Sequence, residues 1–84
     1  MVIIYSASWC GPCMNAKKLL DSKNIDYKEI DIEEANISRQ ELQKLTGGAT
    51  IPQIIINKNN IGGFDQLLDL NQSGDLDKLV WLLN

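Results

Sequence analysis

The chain has two cysteines, Cys10 and Cys13, three residues apart at the point where an apolar run gives way to a helical pattern. Val2, Ile3, Ile4 and Tyr5 form a continuous β-prone stretch, as in a strand buried on both faces. Ser6-Ala7-Ser8-Trp9-Cys10-Gly11-Pro12 then punctuates it. From about Gly11 to Ser22, Ala16, Leu19 and Leu20 share one helical face, and Lys17 and Lys18 lie on the other. Pro12 falls in the first turn, where a missing N–H costs little. A strand that hands over to a helix across a cysteine pair predicts the first half of a βαβ unit, with Cys10 at the helix N-terminus and Cys13 one turn into the helix.

The remaining elements extend that unit. Asn24-Ile25-Asp26 turns the chain into a second strand, roughly Asp26 to Ile32. Ser38 followed by Glu41 is a capping-box pattern that opens a second helix; Leu42 and Leu45 are its expected buried positions, and Gly47-Gly48 stops it. Gln53 to Ile56 reads as a third strand, Asn57-Lys58-Asn59-Asn60 as a turn cluster, and Ile61 as the start of a short return strand ended by Gly62-Gly63. Phe64 to Leu70 reads as a helix. Gly74 breaks it, and Asp75 caps a last helix with Leu76, Leu79, Val80 and Leu83 on one face. The order βαβαββα plus a C-terminal helix predicts an α/β fold: a four-stranded mixed sheet with helices on both faces. At 84 residues it is expected to form one domain, residues 1–84.

Composition removes most chemistries. With no histidine there is no Cys-His or Ser-His-Asp system and no His-ligated metal site. A formal net charge of −3 argues against nucleic-acid or anionic-membrane partners, and no window approaches the roughly 20 apolar residues needed to span a bilayer. Two cysteines three apart do not make a disulfide-rich secreted framework, and Met1 to Tyr5 lacks the features of a secretory signal. A reducing, cytoplasmic setting is expected, where such a pair is more often catalytic or metal-binding than structural.

At a helix N-terminus, unpaired N–H groups and the positive end of the dipole favour a thiolate, so Cys10 is expected to be acidic and Cys13 more buried and less so. That asymmetry suits thiol–disulfide exchange, with Cys10 attacking and Cys13 resolving. Gly11 leaves the approach open, and Trp9 is an exposed apolar platform for a substrate. An inert disulfide is one alternative. A metal site is another; two thiolates supply half of a tetrahedral set, so the rest would come from a second subunit or an exogenous thiol. No metal and no bound cofactor is therefore expected. Thr50-Ile51-Pro52 reads as a cis-proline loop packed against the cysteines, leaving the N–H and C=O of Ile51 to pair with an extended substrate. Gly62-Gly63-Phe64-Asp65 offers helix N–H groups to an anion, and the Asp65 carboxylate suits an ammonium. A zwitterionic amino-acid head fits both.

Taken together, Cys10-Gly11-Pro12-Cys13 after Tyr5, Thr50-Ile51-Pro52-Gln53 and Ile61-Gly62-Gly63-Phe64-Asp65 resemble a glutaredoxin, over essentially the whole chain from Val2 to Leu83. The resemblance implies a thioredoxin fold and glutathione-dependent reduction of protein disulfides and glutathione mixed disulfides, with glutathione as reductant. It implies Cys10 as nucleophile, Cys13 as resolving thiol, and Ile51 pairing with the cysteinyl backbone of glutathione beside cis Pro52. It implies Gly63, Phe64 and Asp65 at the γ-glutamyl end, and Arg39 near the glycyl carboxylate. Expected partners are glutathione and disulfide-containing or glutathionylated proteins, engaged by a monomer. Two departures stand out. The linker is the thioredoxin-like Gly11-Pro12 rather than Pro-Tyr, and Ala7 occupies the place of a common basic residue, a loss of about 0.5–1 kcal/mol for one exposed charge contact. Trp9 and Pro12 motivate one alternative, a thioredoxin-like disulfide reductase and ribonucleotide reductase electron donor served by a thioredoxin reductase. A non-enzymatic alternative is a module that binds a metal or iron–sulfur cluster between subunits through Cys10 and glutathione.

Overall fold

The computed structural model describes residues 1–81. The elements are β1 (Val2–Ser6), α1 (Gly11–Ser22), β2 (Lys28–Asp31), α2 (Arg39–Thr46), β3 (Gln53–Ile56), β4 (Asn59–Gly62), α3 (Phe64–Ser73) and α4 (Asp75–Trp81). The four strands form one mixed sheet in the order β2-β1-β3-β4. β1 runs parallel to β2 and antiparallel to β3, and β3 pairs antiparallel with β4 across an irregularity between Ile54 and Ile55. The element order and the mixed sheet agree with the sequence reading.

Strand alternation splits the apolar residues into two layers. Val2, Ile4, Ile54 and Ile56 point to one side and pack with Ala16 and Leu20 of α1, Leu67 of α3 and Leu76 of α4. On the other side, Tyr5 and Ala7 pack with Cys10, Cys13, Ile32 and Leu42 of α2. The cysteine pair therefore sits at the end of the central strand, within the smaller layer.

Several details differ from the sequence reading. Leu45 is not buried but 55% exposed, and Thr46 takes the inward place at 3%. Leu42 faces the sheet, and the position one turn on is i+4. There the Thr46 hydroxyl donates to the carbonyl of Leu42 at 2.8 Å, which satisfies a polar group that burial would otherwise penalise. The hairpin turn uses only Asn57 and Lys58, with φ of 51° and 68°. Two successive positive φ values make the tight turn that matches strand twist, so β4 begins at Asn59 rather than Ile61. β2 is shorter than Asp26–Ile32, and α3 continues past Leu70 to Ser73. Asp75 is the first residue of α4 and accepts from the Ser73 hydroxyl at 3.1 Å. Leu83 lies outside the described residues. The Ser38–Glu41 capping box is present in both directions, at 3.1 and 3.2 Å.

Candidate active site

Cys10 is the N-cap of α1, with extended φ and ψ of −90° and 110°. Its Sγ accepts the Cys13 N–H at 3.1 Å, and its own N–H donates to the Ala7 carbonyl at 3.2 Å. The two cysteines form a disulfide, with Cα atoms 5.2 Å apart. Cys10 is 4% exposed and Cys13 0%, the order expected from their places in the first turn. A Cβ added to Gly11 would meet nothing within 4 Å, so the approach across this residue is open.

The sulfur faces the loop that leads into β3, whose Ile51 packs against the same apolar layer. Cys10 Sγ lies 3.9 Å from the Ile51 carbonyl oxygen, and the Ile51–Pro52 bond is cis. The N–H of Ile51 has no backbone partner among the described residues. Pro52 is buried and Thr50 exposed. Beneath this loop, the buried Gln53 amide donates to Thr50 Oγ1 at 3.4 Å. Gly48 makes room for it: a Cβ there would stand 2.5 Å from Gln53 Nε2.

A cleft of about 310 Å³ opens beside the pair, bounded by Pro12, Thr50, Ile51, Pro52, Gly63, Phe64 and Asp65, with Asn15 and Gln66 completing it. Gly63 is the N-cap of α3, and a Cβ on it would come 3.7 Å from the Pro52 carbonyl. The start of α3 therefore lies beside the proline loop, at ordinary contact distance. Gln66 Oε1 accepts the Gly63 N–H at 2.9 Å. Asp65 is exposed in the first turn of the helix.

Besides the cysteines themselves, two of the candidate residues lie off this cleft. Trp9 is 62% exposed, and its indole N–H donates to Glu33 Oε1 at 2.9 Å. Arg39 Nη1 donates to the Ala49 carbonyl at 3.2 Å, at the foot of the Thr50–Pro52 loop. Ala7 is 2% exposed and packs with the cysteines, so position 7 supplies apolar contact rather than charge. Sequence reasoning did not single out Asn15 and Gln66. Gln66 stands three residues after the N-cap, the place from which a Gln side chain reaches back in a capping box, and that spacing was the available signal. Asn15 carries no such signal.

One polar network backs the site. The fully buried Ser6 hydroxyl donates to Glu29 Oε2 at 2.6 Å, and Lys17 Nζ donates to the same oxygen at 2.8 Å. The Lys17 hydrogen bond, and then that of Ser6, hold the Glu29 carboxyl below its ordinary value; the Glu29 hydrogen bond raises Lys17. Burial, assisted by Asp21, raises Tyr27. Among the described residues no three His, Cys, Asp or Glu groups converge on a metal-sized site, and no helix is long and apolar enough to cross a membrane.

Residues 2–61 match the family model described as Glutaredoxin. The chain is 40% identical to a glutaredoxin of Pseudomonas aeruginosa over 79 residues, 94% of each chain. It is also 40% identical to glutaredoxin 3 of Escherichia coli K12, covering 94% of this chain and 95% of the relative. The fold superimposes on a buckwheat glutaredoxin crystallised as its glutathione complex, with a TM-score of 0.85, 27% identity, and coverage of 94% of this chain and 74% of that one. A glutaredoxin from Brucella melitensis matches with a TM-score of 0.80 and 40% identity, over 94% of this chain and 86% of that one.

Proposed function

The chain belongs to the glutaredoxin family and is a glutathione-dependent thiol–disulfide oxidoreductase, and from that premise we propose that Cys10 is its nucleophile, Cys13 its resolving thiol, and the cleft beside Pro52 its glutathione groove. The observation that carries the reading is the Cys10 sulfur at the α1 N-terminus, accepting the Cys13 N–H and facing the Ile51 carbonyl at 3.9 Å. In the reduced protein the same N–H and the helix dipole stabilise the Cys10 thiolate.

With a protein disulfide, the Cys10 thiolate attacks one sulfur, the substrate S–S bond breaks, and the other substrate sulfur leaves as a thiolate. Cys13 then attacks Cys10 Sγ, which releases the second substrate thiol and closes the Cys10–Cys13 disulfide. One glutathione thiolate opens that disulfide and leaves glutathione on Cys10; a second removes it as glutathione disulfide. With a glutathione mixed disulfide, Cys10 attacks the glutathione sulfur, the target thiol leaves, and only the last step follows.

The groove orients glutathione for these displacements. Its cysteinyl backbone pairs with the N–H and C=O of Ile51 next to Thr50 and Pro52. Its γ-glutamyl carboxylate meets the N–H groups that open α3, at Phe64 and Asp65, with Gly63 beside it already bonded to Gln66, while its amine meets the Asp65 carboxylate. Arg39 keeps donors beyond the one given to Ala49, and these face the glycyl carboxylate. Trp9 is the platform for the protein side of a mixed disulfide. The enzyme works as a monomer in a reducing compartment such as the cytoplasm, on disulfide-containing and glutathionylated proteins.

The test is turnover of a small glutathione mixed disulfide with glutathione, glutathione reductase and NADPH. Brisk turnover supports the reading. No turnover there, with rapid reduction by a thioredoxin reductase, would replace it with the thioredoxin-like reading that Trp9-Cys10-Gly11-Pro12-Cys13 favours.

A further inference from the structure

A second cleft, of about 470 Å³, lies between β4 and α3 and is lined in part by Ile61, Gln66, Asp69, Leu70 and Asp75. Gln66 also lines the cleft beside Pro52, so the two depressions meet at one side chain. The second has an unusual pairing of surfaces. Ile61 and Leu70 are half-buried and belong to the larger apolar layer, whereas Asp69 is exposed at the border. Among the described residues Asp69 has no ion-pair partner; Asp75 accepts from the Ser73 hydroxyl at 3.1 Å and stands 3.9 Å from Lys78.

An apolar strip with an anionic border fits a side chain that has an aliphatic stem and a cationic head. Main-chain pairing along β4 is less suited, because the Asn60 side chain already accepts the Gly62 N–H at 3.2 Å. Polarity along the chain follows from the groove. If the residue before the reacting cysteine lies by Asp65, as the γ-glutamyl group does in the reading above, a polypeptide in the same groove sends its N-terminal flank past Gln66. We propose that the second cleft takes a lysine or arginine side chain lying N-terminal to the reacting cysteine of a polypeptide substrate, the stem on Ile61 and Leu70 and the charge at Asp69. This rests on the groove assignment and adds a preference that glutathione, too short to reach beyond Asp65, does not sense.

The test uses the Cys13→Ser protein, charged at Cys10 with glutathione and equilibrated with peptide thiols. Each exchange swaps one disulfide for another: peptide thiol plus the Cys10–glutathione disulfide gives free glutathione plus the Cys10–peptide disulfide. Two peptides differ only by lysine or glutamate, scanned from two to five residues before the cysteine. The lysine peptide is expected to be favoured by about three- to fivefold at low salt at its best position, with the preference falling away near about 0.5 M NaCl. Asp69→Asn should abolish the preference and Asp69→Lys should reverse it. Asp26→Asn, the same charge change beside β2 at the opposite edge of the sheet, should leave it intact. Equal constants for the two peptides at every position, or an equal loss in Asp26→Asn, would overturn the second cleft while glutathione still loads Cys10. Failure of glutathione to load Cys10 would overturn the groove and this proposal with it.

Discussion

Around Cys10, two neighbours compete over the proton of the reduced thiol. The Cys13 N–H at 3.1 Å favours the thiolate, and the Ile51 carbonyl oxygen at 3.9 Å favours the S–H form. A hydrogen bond to a charged acceptor is worth about 1.5–3 kcal/mol, whereas an S–H donor is weak at the longer distance, so of these two contacts the Cys13 N–H carries the greater weight. Cys10→Ser should therefore abolish turnover of both substrate classes. Cys13→Ser should keep activity on glutathione mixed disulfides and lose most reduction of protein disulfides, checked by parallel steady-state assays; equal loss of both would give Cys13 a role beyond resolving. A second residue-scale effect lies behind the site, in the Lys17–Glu29 pair. Glu29 is held below 4.5, so its contribution is present above that ordinary value and is lost as pH falls through the lower folded one. Lys17 is raised from 10.5, so its share is present below that value and fades above it. Both side chains reach solvent, at 25% and 40% exposure, which limits the pair to a surface-type value. Lys17→Met should cost about 0.5–1 kcal/mol at pH 7 and almost nothing near pH 2, read by urea denaturation at both. This pair was not legible in the sequence, because it joins residues twelve apart whose meeting depends on how α1 crosses β2.

Elements differ in how much of themselves they announce. α1 was readable to its ends because Cys10-Gly11-Pro12 and the Ala16/Leu20 spacing are local signals, and α2 was readable at its start because its cap is a side-chain bond between neighbours. Burial within α2 was not. Leu45 and Thr46 differ by 100° around the helix, and only packing against β3 decides which turns inward. The hairpin was placed correctly and its turn drawn too long, because four polar residues in a row conceal which two adopt positive φ. In the proposed groove the loop between α2 and β3 positions the substrate, and Gly48 leaves room for the Gln53 amide that bonds Thr50 within it. Gly48→Ala should push the Gln53 amide away and break its bond to Thr50, at about 0.5–1.5 kcal/mol of stability. Because Cys10 is untouched, the Michaelis constant for glutathione should rise several-fold with the maximal rate nearly unchanged; the reverse pattern would detach the loop from binding.

For the whole molecule, the two apolar layers have separate duties. Leu67 anchors the larger layer away from the sulfurs, and Leu42 packs in the layer that contains them. Each is fully buried, so either change to alanine should cost about 2–5 kcal/mol in chemical denaturation. Leu42→Ala should also alter the Cys10 alkylation rate at conditions where both variants remain folded, and Leu67→Ala should not. The overall architecture was legible because strand, cysteine pair, helix, proline loop and hairpin follow in an order with few topological solutions. The site was legible only where motif residues carry it; Trp9 and Arg39 mark the neighbourhood of the cleft without lining it. The most direct measurement is the reduction potential of the Cys10–Cys13 pair in glutathione redox buffers. A working exchange pair should titrate reversibly between about −200 and −270 mV, toward the lower end because of the Gly11-Pro12 linker; a midpoint below about −300 mV, the range of inert structural disulfides, would contradict the account.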